Sequence, residues 1–371
     1  ARTVGERRPT LVLAEGSTGR PAPAPCATHA ESELERAVAA IRSAASVMAL
    51  PAAIGPWVEP LPHPLGDLAP VSAREAPGVI GLIDDPAGQC HRPLRWEPTL
   101  GNLLLVGAVG SGTTSTMISI AAATCRGRAP AELHVYVLDG AGDDGLRALA
   151  GLAHCGGVIA ASDRERVDRL LARLDASIEA RRRAVDADAP SVVLFIDGWS
   201  SVRRSLDGVE RAAQLEVLRR IVEDGPALGV VTVASDHGRS SGATALPVRD
   251  RWVFALDDPT DARTFGVATP PVTRGRPGLL RIASSGLEAQ VAQGAAGLAE
   301  IVTHDVDGSG PRPIRRLPRV VRPECARGER WRSTRSDDAV RLVVGLGGAD
   351  VAPDHLLARW GEPILIVGAA N

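Results

Sequence analysis

From about Gly78 onward, apolar and polar positions alternate in blocks. Short unbroken apolar runs occupy residues 79–83, 103–106, 133–138, 192–196, 230–234 and 252–256. Continuous runs of this length predict strands buried on both faces. The stretches between them place apolar residues three and four apart. Residues 113–125 form one predicted helix. Residues 163–185 form a second, with Val167, Leu170, Leu171, Leu174 and Ile178 on one face and Ser162 and Glu165 spaced as a capping box. A third covers 207–223, with Val209, Ala212, Leu215, Leu218 and Ile221 in phase. Strands alternating with helices predict an α/β fold, a doubly wound and mostly parallel sheet with helices on both faces.

The flanks read differently. Residues 10–14 form one predicted strand, 16–25 a Gly/Pro/Ala linker, and 31–46 a helix with Leu34, Val38, Ile41 and Ala45 on one side. Proline punctuates 51–70, which predicts a docking linker rather than core. Near the end of the chain, Gly345-Leu346, Trp360 and the run Pro363-Ile364-Leu365-Ile366-Val367-Gly368-Ala369-Ala370 repeat the order of Gly81-Leu82, Trp96 and Leu103-Leu104-Leu105-Val106-Gly107-Ala108. An offset of a whole domain predicts a second copy opening here, with chance similarity as the alternative. The expected organisation is the closing part of a preceding domain at 1–46, a linker at 47–70, a complete domain at 71–305, an Arg/Pro-rich linker at 306–340 and a truncated second domain at 341–371. The chain thus reads as a piece of a longer tandem protein.

Composition changes this picture in three places. With 371 residues and 44% hydrophobic content the chain can fill a real core, and 3% aromatic content means that small aliphatic side chains fill it. Five cysteines, odd in number and without a CxxC pair, support neither a disulfide framework nor a zinc ribbon, and a reducing cytoplasm fits best. A net charge of −2 argues against a basic nucleic-acid footprint over the whole chain. No apolar run approaches the ~18 residues of a membrane span, and the charged, Pro-rich opening carries no targeting pattern.

The chemistry concentrates at Gly107-Ala108-Val109-Gly110-Ser111-Gly112-Thr113-Thr114, between a predicted strand and a predicted helix. That context is a phosphate-binding loop, in which backbone N–H groups and the helix N-terminus converge on phosphate oxygens. The pattern G-x-x-x-x-G-K-[ST] is broken at Thr113, where lysine belongs. All 42 cationic Lys/Arg residues are arginine, so the chain has no lysine to recruit, and an arginine fork is not interchangeable with an ammonium. Thr114 keeps the hydroxyl that holds Mg²⁺ on a bound nucleotide. The alternative is a glycine turn that opens a helix without a ligand.

The second half of such a site is an apolar strand ending in a carboxylate, and Val192-Val193-Leu194-Phe195-Ile196-Asp197 supplies it. Asp197 would orient the metal, or merely cap a turn. Gly198 follows, where a hydrolase needs an acid to activate water. Losing one transition-state partner costs roughly 10²–10³ in rate, and here two are missing.

These residues, with Val79-Ile80-Gly81-Leu82-Ile83-Asp84-Asp85-Pro86, Tyr136-Val137-Leu138-Asp139-Gly140, Leu149-Ala150-Gly151-Leu152-Ala153-His154, Asp257-Asp258-Pro259-Thr260-Asp261 and Arg276-Pro277-Gly278-Leu279, resemble the FtsK/SpoIIIE family. Within it the chain is most similar to the tandem ATPase domains of EccC proteins of type VII secretion, over about residues 60–305. The resemblance implies a RecA-like P-loop NTPase that binds ATP and Mg²⁺, works beside neighbouring ATPase domains of the same chain, and assembles into homo-oligomeric rings or stacks that move DNA or secreted protein. It also implies a cytoplasmic location, with any membrane association made through other regions. Carried across by residue, Gly107, Ala108, Val109, Gly110, Ser111, Gly112, Thr113 and Thr114 would form the nucleotide loop, and Asp197 the metal-orienting acid. The departures at Thr113 and Gly198 imply a nucleotide-binding module with impaired hydrolysis and a regulatory or assembly role. An active DNA translocase and a nucleotide-free scaffold are the alternatives.

Other charged groups carry less. Arg239, Arg249, Arg251 and Arg274 could reach a neighbour's nucleotide, although solvated charge is the plainer reading. The ten arginines between Arg312 and Arg341 read as a solvated linker more readily than as an anion-binding patch. His154-Cys155 lacks further ligands at metal spacing, and the adjacent pairs Asp143-Asp144 and Asp257-Asp258 need not converge on an acid–base role.

Overall fold

A computed structural model describes residues 32–50, 58–66, 78–142, 145–183, 189–238, 246–271, 275–292, 310–318, 320–321, 334–336, 338–348 and 350–364. The expected strand at 10–14 and the closing Gly368-Ala369-Ala370 lie outside these residues. The chain divides into two units, Ala1–Pro56 and Trp57–Asn371. In the first, α1 (Glu33–Val47) opens with a reciprocal capping box between Ser32 and Glu35. Its apolar stripe is uncovered, with Leu34 and Ile41 each about 70% exposed.

The second unit is built on ten strands: β1 (Val79–Asp85), β2 (Cys90–Arg95), β3 (Leu103–Val106), β4 (Leu133–Asp139), β5 (Cys155–Ala160), β6 (Ser191–Asp197), β7 (Val230–Asp236), β8 (Asp250–Val253), β9 (Leu279–Ile282) and β10 (Glu288–Val291). Their order across the sheet is β2-β1-β10-β9-β8-β3-β7-β6-β4-β5. The six from β8 to β5 are parallel to their neighbours, and the four from β2 to β9 pair antiparallel. The expected doubly wound parallel sheet is therefore present with an antiparallel wing attached. The strand at 79–83 departs from expectation: β1 belongs to that wing, pairs antiparallel on both sides, and is only half-buried over most of its length.

Helices α2 (Thr113–Cys125), α3 (Arg164–Arg183), α4 (Trp199–Ser205) and α5 (Ala212–Asp224) complete this unit. One apolar cluster joins α2 to one face of the sheet, and another joins α3, α4 and α5 to the opposite face. Ten of the thirteen residues of α2 are buried, its hydroxyl-bearing residues among them. On α3 the five residues predicted for the buried face are the buried ones. Its start is corrected. Asp163 accepts from the Arg166 N–H at 3.4 Å, whereas Glu165 reaches the Leu317 N–H at 2.6 Å, so Ser162 and Glu165 do not form a capping box.

Two stretches read as linker are seated on this unit. Leu61 and Leu65 are buried, and so is Ile314, whose N–H donates to the Gly156 carbonyl of the edge strand β5 at 2.8 Å. A separate three-stranded antiparallel sheet follows, of β11 (Thr334–Arg335), β12 (Ala339–Gly347) and β13 (Ala352–Arg359). Its turn is held to α3 by Arg173 and to the 310–318 segment by Arg312, both of which donate to Asp350.

Candidate nucleotide site

The site forms at the carboxyl edge of the parallel strands. After β3 the chain turns through six residues before α2 begins. Gly107 N–H donates to the Asp236 carbonyl at 3.0 Å and Ala108 N–H to Ala255 at 2.7 Å, anchoring the loop to its neighbours on both sides. Glycine is required at two points. A Cβ on Gly107 would lie 2.3 Å from Ser111 Oγ, and one on Gly112 would lie 2.6 Å from the Gly278 nitrogen. Gly112 also has φ +101°, a conformation that L side chains rarely adopt.

The N–H groups of Gly110, Gly112, Thr113 and Thr114 have no hydrogen-bond partner among the described residues. The last two begin α2, where the helix dipole adds positive potential. Ser111 Oγ is buried inside the loop, also without a partner. The Thr113 side chain is 9% exposed and packs over Gly107, in place of a long cation reaching outward. Val109 stands at the exposed tip.

Asp197 ends β6, 4% exposed, on the α2 side of the sheet. Thr114 Oγ1 donates to its Oδ2 at 3.4 Å, so residues 83 positions apart meet as the loop reading requires. Its other oxygen accepts from Ser235 Oγ, which in turn accepts the Gly198 N–H at 2.9 Å. The donor set fits a nucleotide: four free N–H groups and a helix N-terminus for phosphate oxygens, and Thr114 with Asp197 for the Mg²⁺ bound to them. A bound Mg²⁺ would supply charge neutralisation of the phosphates, and Ser235 fixes the rotamer of the acid that faces it.

Gly198 takes φ 75° and ψ 63°, and a Cβ there would stand 3.3 Å from Ala141 N and Gly140 C. The absent acid is thus built into the backbone. Asp139 and Asp236 are carboxylates that sequence reasoning did not assign to the site. Asp139 ends β4 in register with Asp197 and accepts the Gly142 N–H at 2.7 Å. Asp236 accepts from Ser200 N at 3.1 Å and from His237 N at 2.7 Å, so it holds the start of α4. The available signal was the one used for Asp197: β7 is an apolar strand that ends in a polar pair, Ser235-Asp236.

Of the arginines considered as fingers, Arg249 and Arg251 do not reach this edge. Asp250, between them, pairs with Leu103 at the start of β3, which puts them at the amino end of the sheet. Arg239 and Arg274 lie outside the described residues, as do Asp143 and Asp144. Asp258 caps a turn, accepting from Thr260 N at 2.9 Å. His154 is fully buried with Nε2 3.0 Å from the Arg128 carbonyl, and burial pushes the neighbouring Cys155 thiol up to about 11. No group of three metal-ligating side chains occurs among the described residues.

Residues 74–215 match the family model described as FtsK/SpoIIIE family. Curated relatives include the type VII secretion system protein EssC of Staphylococcus aureus, 23% identical over 58% of this chain and 16% of its own length. The ESX secretion system protein EccC of Thermomonospora curvata is 25% identical over 78% of this chain and 24% of its own. The chain therefore spans a quarter or less of these two relatives. Among solved structures, EssC (ATPases 2 and 3) from Geobacillus thermodenitrificans superposes with a TM-score of 0.64 at 20% identity, covering 81% of this chain and 62% of that one. The sheet order, the glycine loop and these likenesses agree on a RecA-like P-loop ATPase fold, and residues 74–215 are similar to the FtsK/SpoIIIE family.

Proposed function

We propose that residues 71–305 are an ATP-binding module with impaired hydrolysis, serving regulation or assembly within a longer multidomain secretion ATPase of the EccC type. The observation that carries this is the pairing of an intact phosphate and metal frame with a defective reaction frame. Free N–H groups and the Thr114–Asp197 contact at 3.4 Å suit Mg²⁺-nucleotide. Thr113 lacks the lysine charge, and the left-handed backbone at Gly198 crowds out an acid. Each loss removes about 10²–10³ in rate.

The tandem organisation is part of the same reading. In the hairpin β1–β2, Trp96 N–H donates to the carbonyl of Gly78, the residue before the first strand, at 3.0 Å. In β12–β13, Trp360 N–H donates to Asp338 at the equivalent point, at 3.1 Å. Val79 pairs with Arg95, and Ala339 with Arg359. Yet Trp96 is 2% exposed and Trp360 54%, which suits a hairpin opening a second copy whose core would cover it. Neighbouring ATPase domains of this kind and further copies of the chain are the expected partners, DNA or a secreted protein the expected cargo, and the cytoplasm the expected location.

Titration of the full chain with a fluorescent ATP analogue, with and without Mg²⁺, tests the reading. The expected result is Mg²⁺-dependent binding with negligible turnover. No binding at millimolar nucleotide would leave a scaffold. Turnover like that of an intact motor, together with salt-sensitive duplex binding, would establish a translocase.

A further inference from the structure

The phosphate loop is braced by a segment outside its own strand and helix. Gly278 has φ +86°, donates its N–H to the Ser111 carbonyl at 2.8 Å, and accepts from Val291 N at 2.9 Å. The same Gly278 nitrogen fills the space that a Cβ on Gly112 would need, so loop and brace meet backbone to backbone. Gln290, 1% exposed, secures the brace by donating Nε2 to the Pro277 carbonyl at 3.0 Å. Arg276 comes immediately before. Its guanidinium Nη2 donates to the Leu61 carbonyl at 2.9 Å, and its Nε is shielded from solvent without a partner. Leu61 belongs to the segment 58–66, which Leu61 and Leu65 seat by burial.

We propose that Arg276 is a positioning residue that couples the seating of residues 58–66 to the conformation of the phosphate loop. The chain entering the domain then sets nucleotide affinity, and bound nucleotide holds the entering chain in place, because coupling between two sites is reciprocal. The path is short and stiff. Pro277 fixes its own φ, and the contact between Gly278 and Gly112 has no side chain to absorb a shift. A displaced Arg276 therefore moves the Ser111 carbonyl and the donors beside it. The affinity part rests on the nucleotide-binding reading, whereas the mechanical link between segment and loop does not.

The full chain is compared with Arg276→Ala, Arg276→Lys, Leu61→Ala and the double variant Arg276→Ala/Leu61→Ala. Three quantities are read: hydrogen exchange at the hydrogen-bonded amides of the loop and its brace, Ser111, Thr116 and Gly278, affinity for a fluorescent ATP analogue with Mg²⁺, and the thermal midpoint. Arg276→Ala is expected to speed exchange in the loop and weaken affinity about fivefold or more, with little change in the midpoint. Leu61→Ala should do the same, the double variant should be no worse than either single one, and Arg276→Lys should recover most of the effect because an ammonium still donates to the Leu61 carbonyl. Unchanged loop exchange in Arg276→Ala, or effects that simply add in the double variant, would overturn the proposal. If the parent chain binds no nucleotide while Arg276→Ala still speeds loop exchange, the nucleotide reading fails and the brace stands. Should Arg276→Ala not fold, Leu61→Ala carries both loop exchange and affinity by itself.

Discussion

Thr113 and Gly198 are both departures from the family pattern, but they differ physically. Thr113 occupies an ordinary helical position, so a lysine can be placed there with only its own side chain to accommodate. Thr113→Lys is expected to tighten binding of the fluorescent nucleotide without producing rapid turnover, and fast phosphate release by this variant would refute the role given to Gly198. Gly198 adopts a left-handed backbone against Gly140, so Gly198→Glu should lower stability by about 1–2 kcal/mol and still yield no turnover, as denaturant melts and phosphate release would show. Sequence alone exposed both absences but could not tell a replaceable side chain from a committed backbone, because φ is not written in residue identity at a glycine. His154 is another case. Burial lowers its pKa from the ordinary 6.5, only partly opposed by the Arg128 carbonyl. Burial disfavours the charged ring, so its contribution is complete above that value and is lost as pH falls from there through the lowered folded value. Denaturation midpoints should drop as pH falls below about 6.5, and His154→Gln should flatten that part of the profile.

The elements that were legible are those with one strong period. The α3 stripe, the helix α2 and the central strands β3, β4, β6 and β7 were all read from pattern, since burial on one face or on both dictates a repeat. The wing strands β9 and β10 and the edge strands β2 and β5 were not, because their composition is mixed: β2 reads Cys-His-Arg-Pro-Leu-Arg. Pairing with a neighbour, rather than propensity, makes them strands. Asn102 shows how elements are fixed without periodicity. From the start of β3 it donates to Val222 O at 2.7 Å and Pro247 O at 3.0 Å, and accepts from Thr232 N at 2.8 Å. Asn102→Ala would orphan these buried groups, at about 1–3 kcal/mol each. Equilibrium denaturation should show a loss of at least ~2 kcal/mol, and a loss below half of that would mean that water replaces the side chain.

At the scale of the whole molecule, the two hairpins with matching tryptophan closures differ mainly in what covers them. In the chain as it stands, Trp360 is predicted to be open to acrylamide quenching, read as the difference between the parent and Trp360→Phe. In a chain continued through a complete second copy the same difference should become insensitive to the quencher. Quenching that persists there would count against the tandem reading. The proposed repeat rests in sequence on Gly345, Trp360 and their order, whereas the seating of Leu61 and Ile314 left no sequence signal. Proline-rich and arginine-rich composition resembles solvated linker whether or not a single leucine or isoleucine finds a socket.

The sequence by itself determined the parallel core, the glycine loop, Asp197 and the two departures at Thr113 and Gly198, because these depend on local period and on residue chemistry in a fixed order. Only the tertiary structure decided that Ser235 steers Asp197, that Asp236 holds α4, and that Gly278 and Arg276 join the glycine loop to residues 58–66. Those contacts join residues dozens to hundreds of positions apart. They arise from which strands lie side by side at one sheet edge, and no local pattern encodes that neighbourhood.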